Sequence, residues 1–337
     1  MKGLLKVTGT IDLSQLWPKG ESDADTATVV ANADGFAFSA DGSEKGLRRT
    51  RVFEGAQIGS KDVIHSGRKV TVRLQGIDAP ELHFPPGVKR KGLKGNGGFF
   101  RQLQGETSTA RLAAFLAKGL PKVVACEVVT RIDKPNDAFD MFGRLIGDIV
   151  IDSGSKKINI NQWLAQNGWA LPAYYNSMNP DEIRALQKLC KEAQKKGRGI
   201  WPHLNSVIDK PDLLRFRKGG SFTKQEEKAD QGPFVIPKLF RRRVRYSVLE
   251  LNKLGPATFK DYLAGKPFKG EKKGTKDAWT TVAAHKKDPT MKAPNDSLAD
   301  LLGPGNKFQA APGDIVFFEA PSTLKANGKN VTKWTFV

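Results

Sequence analysis

Apolar and polar positions alternate in short runs through the first half of the chain, and that rhythm predicts strands. The clearest is KVTVRLQGI (69–77), with Val70, Val72 and Leu74 on one face and Thr71 and Arg73 on the other. Residues 3–11 alternate more loosely. DTATVVANADGFAFSADG reads as two extended runs broken at Asp34-Gly35, and RRTRVF, KVVACEVVTRID and RLIGDIVID read as further strands. The period changes to helical over 105–118, where Leu112, Phe115 and Leu116 form an apolar face and Thr107 or Ser108 is available as cap. INQWLAQNGWAL predicts a short helix ended by Gly168. Asn179 and Pro180 then open a longer one, in which Ile183, Leu186, Leu189, Cys190 and Ala193 recur at helical spacing. Between strand and helix, residues 83–104 hold two adjacent prolines, many glycines and the cations Lys89, Arg90, Lys91 and Lys94, which predicts a mobile basic loop.

Short strands, a helix, more strands and then helices suit an α+β chain. The architecture expected is an OB-fold, a five-stranded Greek-key β-barrel with packed helices. The texture changes near residue 205. A polar stretch over 205–232 reads as a linker after a barrel domain over 1–204, and 233–337 reads as a basic accessory region of uncertain fold. In that region KLFRRRVRYSVLEL interleaves Arg241, Arg242, Arg243 and Arg245 with aromatic and apolar residues, and GDIVFFEA is one strand-like run. The arginine segment suits non-specific nucleic-acid binding, a solvated strand face or contact with an acidic partner equally well.

Composition narrows the partner class. Fifty-five Lys+Arg against 35 Asp+Glu give a net charge of +20, which draws a protein to polyanions in a salt-dependent way. Basic proteins also bind anionic lipid surfaces, but no apolar stretch approaches the length of a spanning helix, so no membrane insertion is expected. The N-terminus lacks an apolar leader, which favours the cytoplasm, with export open if a leader was removed. Cys126 and Cys190 have no metal-type spacing and read as buried thiols, and His65 and His83 have no ligand spacing that suits zinc.

The chemistry concentrates where 69–77 ends. Asp78 and Glu81 lie three positions apart on a turn that follows Arg73. Hard oxygen donors suit a divalent cation, a second carboxylate can face a water, and arginine matches phosphate oxygens in pairs. Read alone, two acids on a turn suit a solvated surface loop as well.

RLQGIDAPE resembles the motif of the staphylococcal nuclease (thermonuclease, micrococcal nuclease) family. Other segments resemble that family in the same order: SDADT at 22–26, FDMFGRLIGDIVI, and INQWLAQNGWALPAYY followed by a lysine-rich helix and GIW. The resemblance covers about 3–204, with insertions at 12–21, 40–68 and 83–104. It implies a calcium-dependent phosphodiesterase acting on DNA or RNA and leaving 3′-phosphate ends. In that reading Asp25, Asp78 and the Ala79 carbonyl bind Ca²⁺, Glu81 orients or deprotonates the attacking water, and Arg73 and Arg144 hold the phosphate. Asp34-Gly35 is a rival for the acidic turn, but it places Phe36 where a ligand is needed. The resemblance also implies nucleotide contacts from Phe142, Tyr174 and Tyr175, with Lys89, Arg90, Lys91, Arg241, Arg242 and Arg243 as further cationic contacts read from their clustering. The chain departs from the pattern at Met141 and Phe142, where the family has lysine and tyrosine, and at Asn176, where it has a second tyrosine. Two alternatives stand beside this reading: a barrel that binds nucleic acid without cutting, and a scaffold whose basic C-terminal half holds an acidic protein.

Overall fold

Five strands close into a barrel: β1 (Leu4–Asp12), β2 (Thr26–Ser39), β3 (Lys69–Leu74), β4 (Val123–Arg131) and β5 (Leu145–Asp152). The computed structural model describes residues 2–206, 214–218, 221–319 and 322–337. The ladder runs β1-β4-β5-β3-β2 and returns to β1, antiparallel throughout except for the parallel pair β5–β3. The alternation seen in the sequence faces inward as expected: Val7, Val29, Val70, Val72, Leu145, Ile149 and Ile151 are buried. The two runs expected around Asp34-Gly35 are one continuous strand. Its pairing with β1 shifts register between Val7 and Gly9, so the residues around that dipeptide form a bulge instead of a turn.

Helix α1 (Gly105–Leu116) follows the barrel's long excursion, and α2 (Ile160–Asn167) packs beside β5 and against α3 (Pro180–Lys195). Asn179 closes a capping box with Glu182, and Gly168 ends α2 in the left-handed region at φ 71°. The cap expected for α1 at Thr107 or Ser108 is not there. The helix begins two residues earlier, and its buried first turn is met from afar by Asp230, which accepts from the Thr107 N–H and hydroxyl, both at 2.8 Å. Cys126 and Cys190 are buried free thiols, as expected.

The C-terminal third is woven into the barrel region. The segment expected to be a linker, where it is described, contains helix α4 (Lys224–Asp230); residues 207–213 and 219–220 lie outside the described residues. KLFRRRVRYSVLEL is helix α5 (Pro237–Leu251), not a strand, because Leu239, Phe240, Val244, Val248 and Leu249 recur at helical spacing and are buried behind Pro237 in the first turn. The run in GDIVFFEA is a strand (Ile315–Phe317) that pairs in parallel with Tyr174–Tyr175 and antiparallel with Trp279–Thr281. Farther on, Leu324–Ala326 pairs with Ala56–Ile58 in the 40–68 insertion, and Trp334 stacks on Phe38 of β2 at 4.1 Å.

The basic loop is tied down. Phe84 and Phe100 exchange backbone hydrogen bonds at 2.8 and 3.0 Å, and Asn96 bridges both the N–H and the carbonyl of Val88. Lys94 donates its N–H to Asn252 just beyond α5. Lys89, Arg90 and Lys91 themselves are exposed, Arg90 reaching the Lys269 carbonyl at 3.1 Å. Among the described residues, no helix is long and apolar enough to cross a membrane.

Candidate active site

The barrel brings three separated acids to one place. Asp25 precedes β2, and its carbonyl accepts the Leu74 N–H at 2.9 Å, so it lies beside the end of β3 where Arg73 pairs with Thr26. Past β3 the chain turns at Gly76, with φ 76°, and Ile77–Asp78 pairs with Leu171–Pro172. The Ala79 N–H then donates to Asp25 Oδ2 at 2.9 Å, binding the two acidic turns to each other. Glu81 is fixed by Gln102, whose side chain accepts the Glu81 N–H at 3.0 Å and whose own N–H donates to the Glu81 carbonyl at 2.7 Å. The start of α1 presses on the same turn: a Cβ at Gly105 would stand 2.7 Å from the Glu81 carbonyl oxygen.

Arg144 enters at the start of β5. Asp140 accepts the N–H groups of Phe142 and Arg144 at 2.9 and 3.0 Å, and its other oxygen accepts from Arg144 Nε at 2.8 Å. Phe142 is exposed, with its ring 5.6 Å from the Arg144 guanidinium carbon, placed to meet a flat partner. Arg73 lies 4.4 Å from the ring centroid of Tyr175.

Electrostatics mark the cluster as cation-seeking. Burial and the nearby Asp78 carboxylate push Asp25 up to about 6, against a lowering pull from the Ala79 N–H and the Arg144 charge. Burial likewise drives Glu81 upward, opposed by Arg241 and reinforced by Asp78, Asp23 and Asp25. His83 Nδ1 donates to Asp23 Oδ1 at 3.0 Å, and that bond raises its pKa.

Helix α5 supplies what the sequence reading missed. Arg241 donates to both oxygens of Asp78, at 2.9 and 2.8 Å, and also to Glu81. Glu319, after the strand Ile315–Phe317, accepts from Arg73 at 2.6 Å. Lys238 stands over the rings of Tyr175 and Phe317, at 5.3 and 4.5 Å, beside a narrow cleft lined by Asp78, Pro172 and Ile236. Nothing local signals Glu319; only the pairing of its strand with Tyr174–Tyr175 carries it to Arg73. Arg241 was legible as a cation but not as a partner of Asp78.

Several expected nucleotide contacts are spent inside the protein. Tyr174 is fully buried with its hydroxyl toward Cys190, since successive residues of a strand face opposite ways and Tyr175 takes the site side. Tyr175, expected as a nucleotide contact, is itself buried and backs Arg73. Arg242 is held by Asp277 at 2.5 and 2.7 Å. Arg243 is buried against Tyr246 and Phe259 at 5.2 and 5.5 Å. Arg241 contacts carboxylates in place of a polymer.

The donor set fits a hard cation chemically. Asp25 and Asp78 are oxygen donors whose mutual repulsion a divalent ion would relieve. Among the described residues no group of three or more His, Cys, Asp or Glu is arranged to hold a metal, and Asp78 is turned onto Arg241.

An acid pair, a third carboxylate on a fixed turn, an arginine on β3 and another just before β5 thus lie at one end of the barrel. Residues 71–203 match the family of staphylococcal nuclease homologues. The chain is also 28% identical over 185 residues to Endonuclease YhcR of Bacillus subtilis (strain 168), an alignment that takes in 54% of this chain and 13% of that protein.

Proposed function

We propose that this protein is a nuclease, hydrolysing phosphodiester bonds of DNA or RNA with a calcium ion. The observation that carries the reading is the convergence of Arg73 and Arg144 on the two joined turns that hold Asp25 and Asp78 with Glu81. The parallel pairing of β5 with β3, Ile146 opposite Arg73, is what brings the two arginines together.

Asp25, Asp78 and the Ala79 carbonyl would hold the metal, which supplies positive charge to the phosphate when bound. Glu81, held on its turn by the Gln102 side chain, accepts a proton from the attacking water. The water oxygen bonds to phosphorus, the bond to the 5′-oxygen breaks, that oxygen takes a proton from solvent, and the phosphate stays on the 3′ side. Arg73 and Arg144 match the charge that grows on the phosphoryl oxygens, with Phe142 against a base. Lys89, Arg90 and Lys91 add attraction for the polymer along the exposed loop.

The test is cleavage of labelled single- and double-stranded DNA and of RNA, in Ca²⁺ and in EGTA, beside Glu81→Gln. Calcium-dependent cutting that the variant loses supports the reading, and binding without cutting in any metal overturns it. A barrel that binds without cutting has one observation in its favour: carboxylates and an arginine of the site are already paired within the chain.

A further inference from the structure

We propose that the C-terminal third holds the site in a self-occupied state, Arg241 standing in for the cation and Glu319 for the substrate phosphate. This inference rests on the nuclease reading. It goes beyond that reading in assigning the resting site a competitor for each of its two ligands.

Both halves of the plug are drawn in one geometry. Arg241 grips Asp78 by both guanidinium nitrogens at 2.9 and 2.8 Å and reaches Glu81 as well, so one positive group spans the carboxylate that would bind metal and the one that would face water. Glu319 places a carboxylate oxygen 2.6 Å from Arg73, which is where a phosphate oxygen would sit on that guanidinium. A lone surface ion pair near one of these residues would say little, since exposed pairs contribute little. Here a cation sits on the acids and an anion on the arginine, each of the sign of the missing ligand. Both come from residues more than a hundred positions away along the chain.

The plug can leave without unfolding its support. Beside Arg241 on α5, Arg242 is pinned by Asp277 and Arg243 by Tyr246 and Phe259, and Phe240 and Val244 are buried. The helix backbone is therefore fixed while the Arg241 side chain, about a quarter exposed, can rotate to solvent. Glu319 is anchored through its own N–H on Asn176 at 3.2 Å, and its carboxylate is equally open at the rim. Metal and polymer binding together then displace both side chains by mass action, whereas either ligand alone meets a competitor.

The test is calcium affinity by titration calorimetry on the full chain and on Arg241→Met, without substrate, with near-ultraviolet circular dichroism to show that the fold is kept. The expected result is at least a tenfold gain in calcium affinity for the variant. Equal or weaker affinity in a folded variant overturns the proposal. Should Arg241→Met fail to fold, Arg241→Lys, which loses the two-pronged grip, replaces it with a smaller gain expected and no gain overturning.

The anion half is read separately. Glu319→Gln should bind a fluorescent single-stranded oligonucleotide in EGTA at least fivefold tighter at fixed salt, and unchanged binding overturns that half. These readouts also part the plug from the activity. Gains in both affinities without any cleavage leave the plug standing and remove the nuclease reading. Calcium-dependent cleavage by the full chain with no gain in either variant does the reverse.

Discussion

Asp140 binds Arg144 twice, accepting from its backbone N–H at 3.0 Å and from its guanidinium Nε at 2.8 Å. One carboxylate thus shapes the turn before β5 and aims the arginine that leaves it. Removing it as Asp140→Ala leaves Arg144 present but unaimed, and a displacement of about 1 Å costs about 10²-fold in rate. We expect kcat to fall by about that factor while KM moves little. Asp140→Asn should recover part of the loss, because its amide oxygen can still accept from the turn. Steady-state kinetics on a defined oligonucleotide checks both.

Arg73 and Arg144 are expected to act on transition-state charge and not on polymer binding. Arg73→Lys and Arg144→Lys each keep one positive charge but lose the fork. Each should lower kcat by about 10²–10³-fold, with oligonucleotide affinity changed far less. An equal loss in affinity and in kcat would assign them to grip.

Asp148 on β5 predicts the sign of one pH effect on stability. Burial pushes its carboxyl up to about 6 from 3.8, partly offset by the Asn159 amide that donates to it at 2.8 Å, with Glu182 adding repulsion. A folded pKa above the unfolded one means that the native state holds the proton more tightly. This group's contribution is therefore most favourable below pH 4 and is lost as pH rises from about 4 to 6. Its side chain is only partly hidden from solvent, so we expect Asp148→Asn to gain about 1–2 kcal/mol at pH 7 and nothing at pH 3.5. Urea titrations at the two pH values check it.

A chain cut after residue 204 should not keep a well-packed barrel domain. It would lose the partner of Tyr174–Tyr175, the Asp230 that meets the start of α1, and the Trp334 ring stacked on Phe38. The expected outcome is retained far-ultraviolet and lost near-ultraviolet circular dichroism, with a broadened thermal transition. A sharp transition in the fragment would show the barrel to be self-sufficient.

The barrel strands were legible because their alternation is local: Val70, Val72 and Leu74 face the core as their spacing says. Asp25, Asp78, Glu81, Arg73 and Arg144 were legible because motifs in order carry them, and the fold brings them to one place. What could not be read is what depends on distant packing. The arginine run in α5 looked like a strand face or a loose cationic patch, since its burial behind Leu239 and Phe240 shows only once the helix has something to lie on. Tyr174 and Tyr175 are neighbours of like chemistry, and only the pairing of their strand decides which one enters the core. Glu319 carries no local mark at all.

A late strand, Leu324–Ala326, is laced into an insertion near the start of the barrel. Leu324 pairs with Ile58, and the Thr50 hydroxyl donates to the Thr335 carbonyl at 3.0 Å across 285 positions of sequence. During synthesis, then, this edge of the barrel waits until the segment from Leu324 to Thr335 has left the ribosome. Until it does, Ile58 lacks its Leu324 partner and Phe38 lacks the Trp334 ring, and that edge stays open to proteases and to other chains while the intervening residues are made.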